Sequence, residues 1–226
     1  MADRLKHRLP FVALAAMLLV LAVPGWGAQV LVYAQNPDFQ GLYASQNDTA
    51  LFGQFAQSYD NFSLGSAGTL TEVQWVGGYY NPQSLGPIMS WNVGFYANNA
   101  GQPGSLITSF SISGNAGETF LQLDALGDPT YLYTAAVNFA AGASTTYWLS
   151  VVPSLAFPPQ WGWTSSSQGD GISYTDFAGF RTQNPTDLAF ALYETQQTTV
   201  PEAGSLMLLG TGIIGIASVI RRKIGA

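Results

Sequence analysis

The chain has no cysteine. That excludes a disulfide framework, a thiolate metal site, a cysteine nucleophile and a lipidated cysteine. Between Gln35 and Thr199 there is also no lysine and no histidine, and the only basic residue is Arg181. Ser-His-Asp and Cys-His triads are therefore impossible in that segment, as is a lysine general base. Zinc sites of the usual ligand types are excluded with them. Eleven acids stand against the one base: Asp38, Asp48, Asp60, Glu72, Glu118, Asp124, Asp128, Asp170, Asp176, Asp187 and Glu194. The formal charge of the segment is −10. Nucleic acid needs a cationic surface, so it is not a partner. A neutral or cation-rich surrounding such as a polysaccharide matrix is compatible, and net charge by itself keeps an exported protein soluble.

The basic residues collect at the two ends. Arg4, Lys6, His7 and Arg8 precede an apolar run, Phe11 to Val23, of 13 residues. That is short for a membrane span and suits the apolar part of a secretory signal helix. Residues 1–34 are read as the signal, with cleavage after Val32-Tyr33-Ala34. That site puts Val32 and Ala34 at the two positions that require modest side chains. Gly25-Trp26-Gly27 is the alternative. At the other end, residues 203–220 are an uncharged run of 18 residues, followed by Arg221, Arg222 and Lys223. As a helix such a run spans roughly 27 Å, close to the thickness of a hydrocarbon core. Gly204, Gly210, Gly212 and Gly215 are acceptable in a membrane helix, where they permit close helix contact. The basic cluster is then a cytoplasmic stop, which leaves the intervening chain outside the inner membrane.

That intervening chain reads as all-β. Apolar residues alternate at Thr71, Val73 and Trp75; at Trp91, Val93, Phe95 and Ala97; at Tyr131, Tyr133, Ala135, Val137 and Phe139; at Tyr147, Leu149 and Val151; and at Leu188, Phe190 and Leu192. A period of two, rich in aromatic and β-branched residues, is the pattern of half-buried strands. Gly77-Gly78, Asn81-Pro82, Asn98-Asn99-Ala100-Gly101, Gln102-Pro103-Gly104, Gly127-Asp128-Pro129 and Gly169-Asp170-Gly171 read as turns between them. The expectation is a single antiparallel β-sandwich, jelly-roll-like, over residues 50–195. Residues 35–49 are a poorly structured lead-in, and residues 196–199 a linker. A signal helix and a transmembrane helix flank the domain.

The candidate chemistry is sparse. Carboxylates on tight loops suit calcium, a hard cation. Asp170 and Asp176 in Gln-Gly-Asp-Gly-Ile-Ser-Tyr-Thr-Asp are the first choice for a structural ion, and Asp124 and Asp128 the second. No other cofactor is expected. Sugar binding would use Trp161 and Trp163, flanked by Pro and Gly, or Tyr79 and Tyr80; the spacing of two between the tryptophans favours a place in the core. A hydrolase would require two of the acids at a fixed separation, one of them with a raised pKa.

The tail resembles the PEP-CTERM sorting signal of Gram-negative bacteria. The resemblance rests on Val200, Pro201 and Glu202, the glycine-bearing apolar segment after them, and Arg221, Arg222 and Lys223. Ala203 stands where the common motif has a further proline. The resemblance covers residues 200–226 and implies recognition by an exosortase, a membrane processing enzyme, with removal of the tail. More loosely, the domain resembles the β-sandwich ectodomains of such proteins. That likeness lies in Tyr59-Asp60-Asn61-Phe62, Gly77-Gly78-Tyr79-Tyr80, Phe95-Tyr96-Ala97-Asn98-Asn99 and Thr146-Tyr147-Trp148-Leu149-Ser150-Val151. It implies no enzymatic activity. The whole then reads as an exported, non-catalytic protein. It would be anchored in the inner membrane before processing and then reside at the cell surface or in an exopolysaccharide matrix. The alternatives are a carbohydrate-binding module and a carboxylate-dependent polysaccharide hydrolase.

Overall fold

The computed structural model describes residues 27–81 and 87–196. Every regular element among them is a strand. In chain order these are β1 (Ala28–Gln35), β2 (Leu42–Ala44), β3 (Gln46–Asp48), β4 (Gly53–Ser63), β5 (Gly68–Tyr80), β6 (Ser90–Asn99), β7 (Gln102–Ser113), β8 (Thr119–Leu123), β9 (Pro129–Ala141), β10 (Thr146–Leu155), β11 (Gln160–Ser166), β12 (Ser173–Phe177), β13 (Phe180–Asn184), β14 (Asp187–Leu188) and β15 (Phe190–Gln196). The expected signal helix and transmembrane helix 203–220 lie outside the described residues. Gln29–Thr195 form one compact unit.

The strands make a two-sheet sandwich. An eight-stranded sheet runs β1-β15-β5-β11-β14, with β2 beside β11, β9 beside β5 and β8 beyond β9. A seven-stranded sheet runs β13-β12-β4-β3-β10-β6-β7. The pairings among β2 to β15 are antiparallel except that of β3 and β10, which pair in parallel at Asn47–Ser154 and Asp48–Leu155. The expected lead-in is therefore built into both sheets. β2 extends β11 through Leu42–Thr164 and Ala44–Gly162, and β3 pairs with β4 and β10. Two of its polar residues misled the composition reading, because their hydrogen-bond partners lie more than a hundred residues away. Ser45 Oγ donates to the Val151 carbonyl at 2.7 Å, and Trp161 N donates to Gln46 Oε1 at 2.7 Å.

The inward faces follow the alternation. Trp91, Val93 and Phe95 of β6, Tyr133, Ala135, Val137 and Phe139 of β9, and Leu188, Phe190 and Leu192 are all buried in one core. β5 departs from it at Thr71. A bulge between Leu70 and Glu72 turns Leu70 inward, and Thr71 is only half-buried. One extra residue in a ladder shifts the face of everything on one side of it.

Aromatic rings fill the centre. The Trp91 ring lies 4.9 Å from Trp75, 4.9 Å from Trp161 and 4.7 Å from Tyr133. Phe95 stacks on Phe139 at 4.2 Å. Gly77 and Gly78 are not a turn: they lie within β5, and Gly77 pairs with both Tyr131 and Trp163. Their lack of a side chain is a packing requirement. A Cβ on Gly77 would overlap the Trp161 ring and stand 2.6 Å from the Gly162 carbonyl oxygen. Gln102-Pro103-Gly104 likewise opens β7, so the turn before it is Ala100-Gly101, both at positive φ. Gly127 and Gly169 take positive φ in turns, as expected.

A second, smaller cluster sits on the outer face of the seven-stranded sheet, where Tyr59, Trp148 and Tyr174 are buried. Arg181 closes it: the guanidinium lies 5.4 Å above the Tyr59 ring and donates to the Pro103 carbonyl at 2.9 Å.

Replacing Gly77 by alanine should force the Trp161 indole out of its place at a cost of about 1–3 kcal/mol. Thermal unfolding of the purified protein should show this as a Tm lowered by several degrees. A Tm equal to that of the wild type would mean that the two strands do not approach as closely as described.

Candidate functional site

The predicted sorting residues Val200, Pro201 and Glu202 and the basic stop Arg221, Arg222 and Lys223 lie outside the described residues. What the structure shows is the surface from which that tail departs. β15 is the last described strand and ends at Gln196. It lies between β1 and β5. Thr71 Oγ1 is 2.9 Å from Thr195 Oγ1 and 3.4 Å from Gln29 Oε1. The first and last residues of the compact unit thus meet over one residue of β5, at the end of the sandwich where β4 finishes and β5 begins. At the opposite end the β3–β4 and β12–β13 turns expose Leu51, Phe52 and Phe180. Phe177, partly exposed, pairs with Ala56 of β4 there.

The proposed calcium ligands do not converge. Asp176 is held by Arg181 through two hydrogen bonds, Nε to Oδ1 at 2.7 Å and Nη2 to Oδ2 at 2.8 Å. Asp170 accepts from Asn61 Nδ2 at 2.9 Å and from Ile172 N at 3.0 Å. The second choice fares no better. Asp124 Oδ1 accepts from Leu126 N and Asp128 N, both at 2.9 Å, which closes a turn. Among the described residues no three acids or histidines are grouped to hold a metal ion.

The proposed sugar-binding rings are mostly inside. Trp161 and Trp163 are fully buried, and Tyr79 is 1% exposed. Trp161 Nε1 donates to Tyr133 Oη at 3.2 Å, and Trp163 Nε1 to the Ala189 carbonyl at 2.8 Å. Tyr79 and Tyr133 both donate to Glu118 Oε2, at 2.5 and 2.9 Å. Burial first, and then the neighbouring carboxylate for Tyr79 and the neighbouring Tyr79 and Glu118 for Tyr133, hold both phenols well above their usual range. Tyr80 faces the other way and is half-buried against Gly162. The four rings form no common face. Proline and glycine flanks suggested loops, but both tryptophans lie on β11 and alternate inward.

Three carboxylates that drew no attention in the sequence prove central. Asp48, buried, accepts four backbone N–H groups: Ala50 at 2.9 Å, Leu51 at 2.8 Å, Phe52 at 2.7 Å and Phe157 at 2.8 Å. Burial opposes its charge, but these donors outweigh it and lower the pKa to about 2. Asp60 is completely buried and accepts from Asn61 N at 2.6 Å and from Leu188 N. Burial, with Asp187 adding to it, raises its pKa well above the ordinary value. Asp187 accepts from Gly171 N at 2.8 Å through Oδ2, while its buried Oδ1 has no hydrogen-bond partner. Its pKa is also raised, chiefly by burial. A raised pKa is one mark of a catalytic acid, yet Asp60 and Asp187 are shut away from solvent. A shallow cleft of about 170 Å³ runs beside β1, β5, β9 and β15 and has no carboxylate on its walls.

The comparisons with known proteins bear on the tail. The PEP-CTERM protein-sorting motif matches residues 199–223. A PEP-CTERM sorting motif is therefore present, and such a motif implies processing by an exosortase-like enzyme and membrane-associated sorting to the cell surface. No curated protein matches the chain. Among solved structures, the cysteine protease and lectin-like domains of Cwp84, a surface layer associated protein of Clostridium difficile, match at 12% identity with a TM-score of 0.41. The match covers 64% of this chain and 33% of that one. A likeness of that degree carries no argument about this chain.

The carboxylates predict a stability maximum. The contribution of Asp48 is complete above the ordinary value of 3.8 and is lost as the pH falls toward about 2. Asp60 and Asp187 act in the opposite sense: their folded forms favour the proton, so stability declines as the pH rises above 3.8 toward their raised values. Urea midpoints measured across the acid range should peak at about pH 4. Asp48→Asn should flatten the acid side and cost on the order of 2 kcal/mol at neutral pH. An acid side unchanged by that substitution would contradict the assignment.

Proposed function

We propose that the chain is an exported, non-catalytic surface protein whose β-sandwich is delivered by its C-terminal tail. The observation that carries this reading is the sorting motif at residues 199–223, which begins three residues beyond the end of β15. In this reading a secretory signal takes the chain across the inner membrane. The apolar run 203–220 holds it there, with Arg221, Arg222 and Lys223 as the cytoplasmic stop. An exosortase-like enzyme recognises Val200, Pro201 and Glu202 and passes the domain to the cell surface or to an exopolysaccharide matrix, where it serves as a structural or adhesive module. The sorting residues follow the end of β15 at Gln196 by four residues, within reach of a processing enzyme seated at the membrane.

The non-catalytic part of the proposal draws on chemistry. The segment from Gln35 to Thr199 has no histidine, lysine or cysteine. Of its acids with raised pKa, Asp60 and Asp187 are buried beneath the loop that carries Gly169 and Gly171, and Asp128, raised by burial and by the neighbouring Asp124, sits half-buried on the turn that Asp124 closes. The carbohydrate-binding alternative loses three of its four named residues with the burial of Trp161, Trp163 and Tyr79, and keeps the half-buried Tyr80.

Replacing Pro201 and Glu202 by alanine should leave most of the protein full-length and in the inner-membrane fraction, while the wild type appears outside it without Arg221, Arg222 and Lys223. Intact mass and cell fractionation read both. Normal maturation of the double variant would overturn the proposal.

A further inference from the structure

The sequence offers two places to cut the leader, after Gly27 and after Ala34, and they differ by one whole strand. We infer that the cut falls at the first, so that β1 belongs to the mature protein. The inference rests on the export reading above.

The residues of β1 are part of the sandwich. The Tyr33 ring stacks on Phe190 at 5.4 Å with 27° between the planes, and lies 6.0 Å from Phe62. Both of those rings belong to the core, and Val32 packs against it as well. Gln35 is 2% exposed. With its amide oriented to suit its neighbours, its nitrogen donates to Asp60 Oδ2 at 2.9 Å and to the Leu188 carbonyl at 2.7 Å, and its oxygen accepts from Tyr33 Oη at 2.7 Å. Tyr33, Gln35 and Asp60 are thus one chain of hydrogen bonds from the strand edge to a completely buried carboxylate. Burial of Tyr33 pushes its hydroxyl up to about 12, so it stays a donor.

Cutting after Ala34 removes this. β15 would lose its outer neighbour and present a row of unpaired backbone groups, the template for pairing with another chain. Phe190 and Phe62 would lose the ring that covers them. Gln35 would become a chain end at the most buried point of the strand. Cutting after Gly27 leaves β1 whole, from Ala28 to Gln35. Gly27 also lies four residues beyond the apolar run that ends at Val23, against eleven for Ala34. Gly25 and Gly27 supply the small residues that cleavage needs. Sequence alone favours Ala34 because alanine and valine suit the two subsites well. The structure assigns those same residues to the sheet.

The test is the N-terminal sequence of the exported full-length gene product, together with the Tm of a Tyr33→Ala variant made in the same chain. A mature N-terminus at Ala28, with a Tm lowered by about 5 °C or more, is the expected result. A mature N-terminus at Gln35, or a Tyr33→Ala product that melts like the wild type because residue 33 has left with the leader, overturns the inference and leaves the export reading standing. A chain that retains Met1 in the membrane fraction overturns the cleavable-leader reading, and the inference falls with it.

Discussion

Trp91 is the ring on which the two sheets are spaced. It projects from β6 of one sheet and meets Trp75, Tyr133 and Trp161 from β5, β9 and β11 of the other. Sheets packed face to face stand about 10 Å apart, and interlocked indole and phenol rings fill that gap densely. The arrangement makes demands elsewhere. Gly77 and Gly162 must be without side chains where Trp161 and Tyr80 lie against them. Tyr133 must reach Glu118 at the sandwich rim to satisfy its hydroxyl. The indole N–H groups of Trp75 and Trp91 find no partner, a cost that ring packing offsets.

The second constraint is charge. With Arg181 as the single base between Gln35 and Thr199, and with its Nε and Nη2 on Asp176, buried carboxylates cannot rely on ion pairs. They depend on the backbone instead. Asp48 gathers four N–H groups from the β3–β4 turn and from Phe157 after β10, and it stays ionised. Asp60 and Asp187 gather fewer and lie near each other, so the proton is retained to higher pH. The difference between the three is how strongly burial penalises each charge against the number of donors aimed at it, and both are set by how loops from distant parts of the chain come together.

β1 and β15 run side by side, and Thr71 touches both Gln29 and Thr195. The compact unit therefore begins and ends at the same end of the sandwich. The turns at the far end carry the exposed side chains of Leu51, Phe52 and Phe180.

The sequence by itself determined the fold class, because a period of two in residues such as Trp91, Val93 and Phe95 is a local property of the strand that carries it. It also determined the sorting signal, since a short motif, an apolar run and a basic stop are contiguous and need no partner elsewhere. Most carboxylate chemistry was out of reach for the opposite reason. Asp48 meets Phe157, Asp60 meets Leu188 and Asp176 meets Arg181, and only the last pair is close in the chain. The same holds for the glycines and the leader. Gly77-Gly78 reads as a turn until Trp161 is found resting on it, and nothing in Val32-Tyr33-Ala34 tells that the Tyr33 ring stacks on Phe190. Tertiary structure decided these points because burial and hydrogen bonding depend on which distant strand lies alongside, and that follows from the register of the sheets.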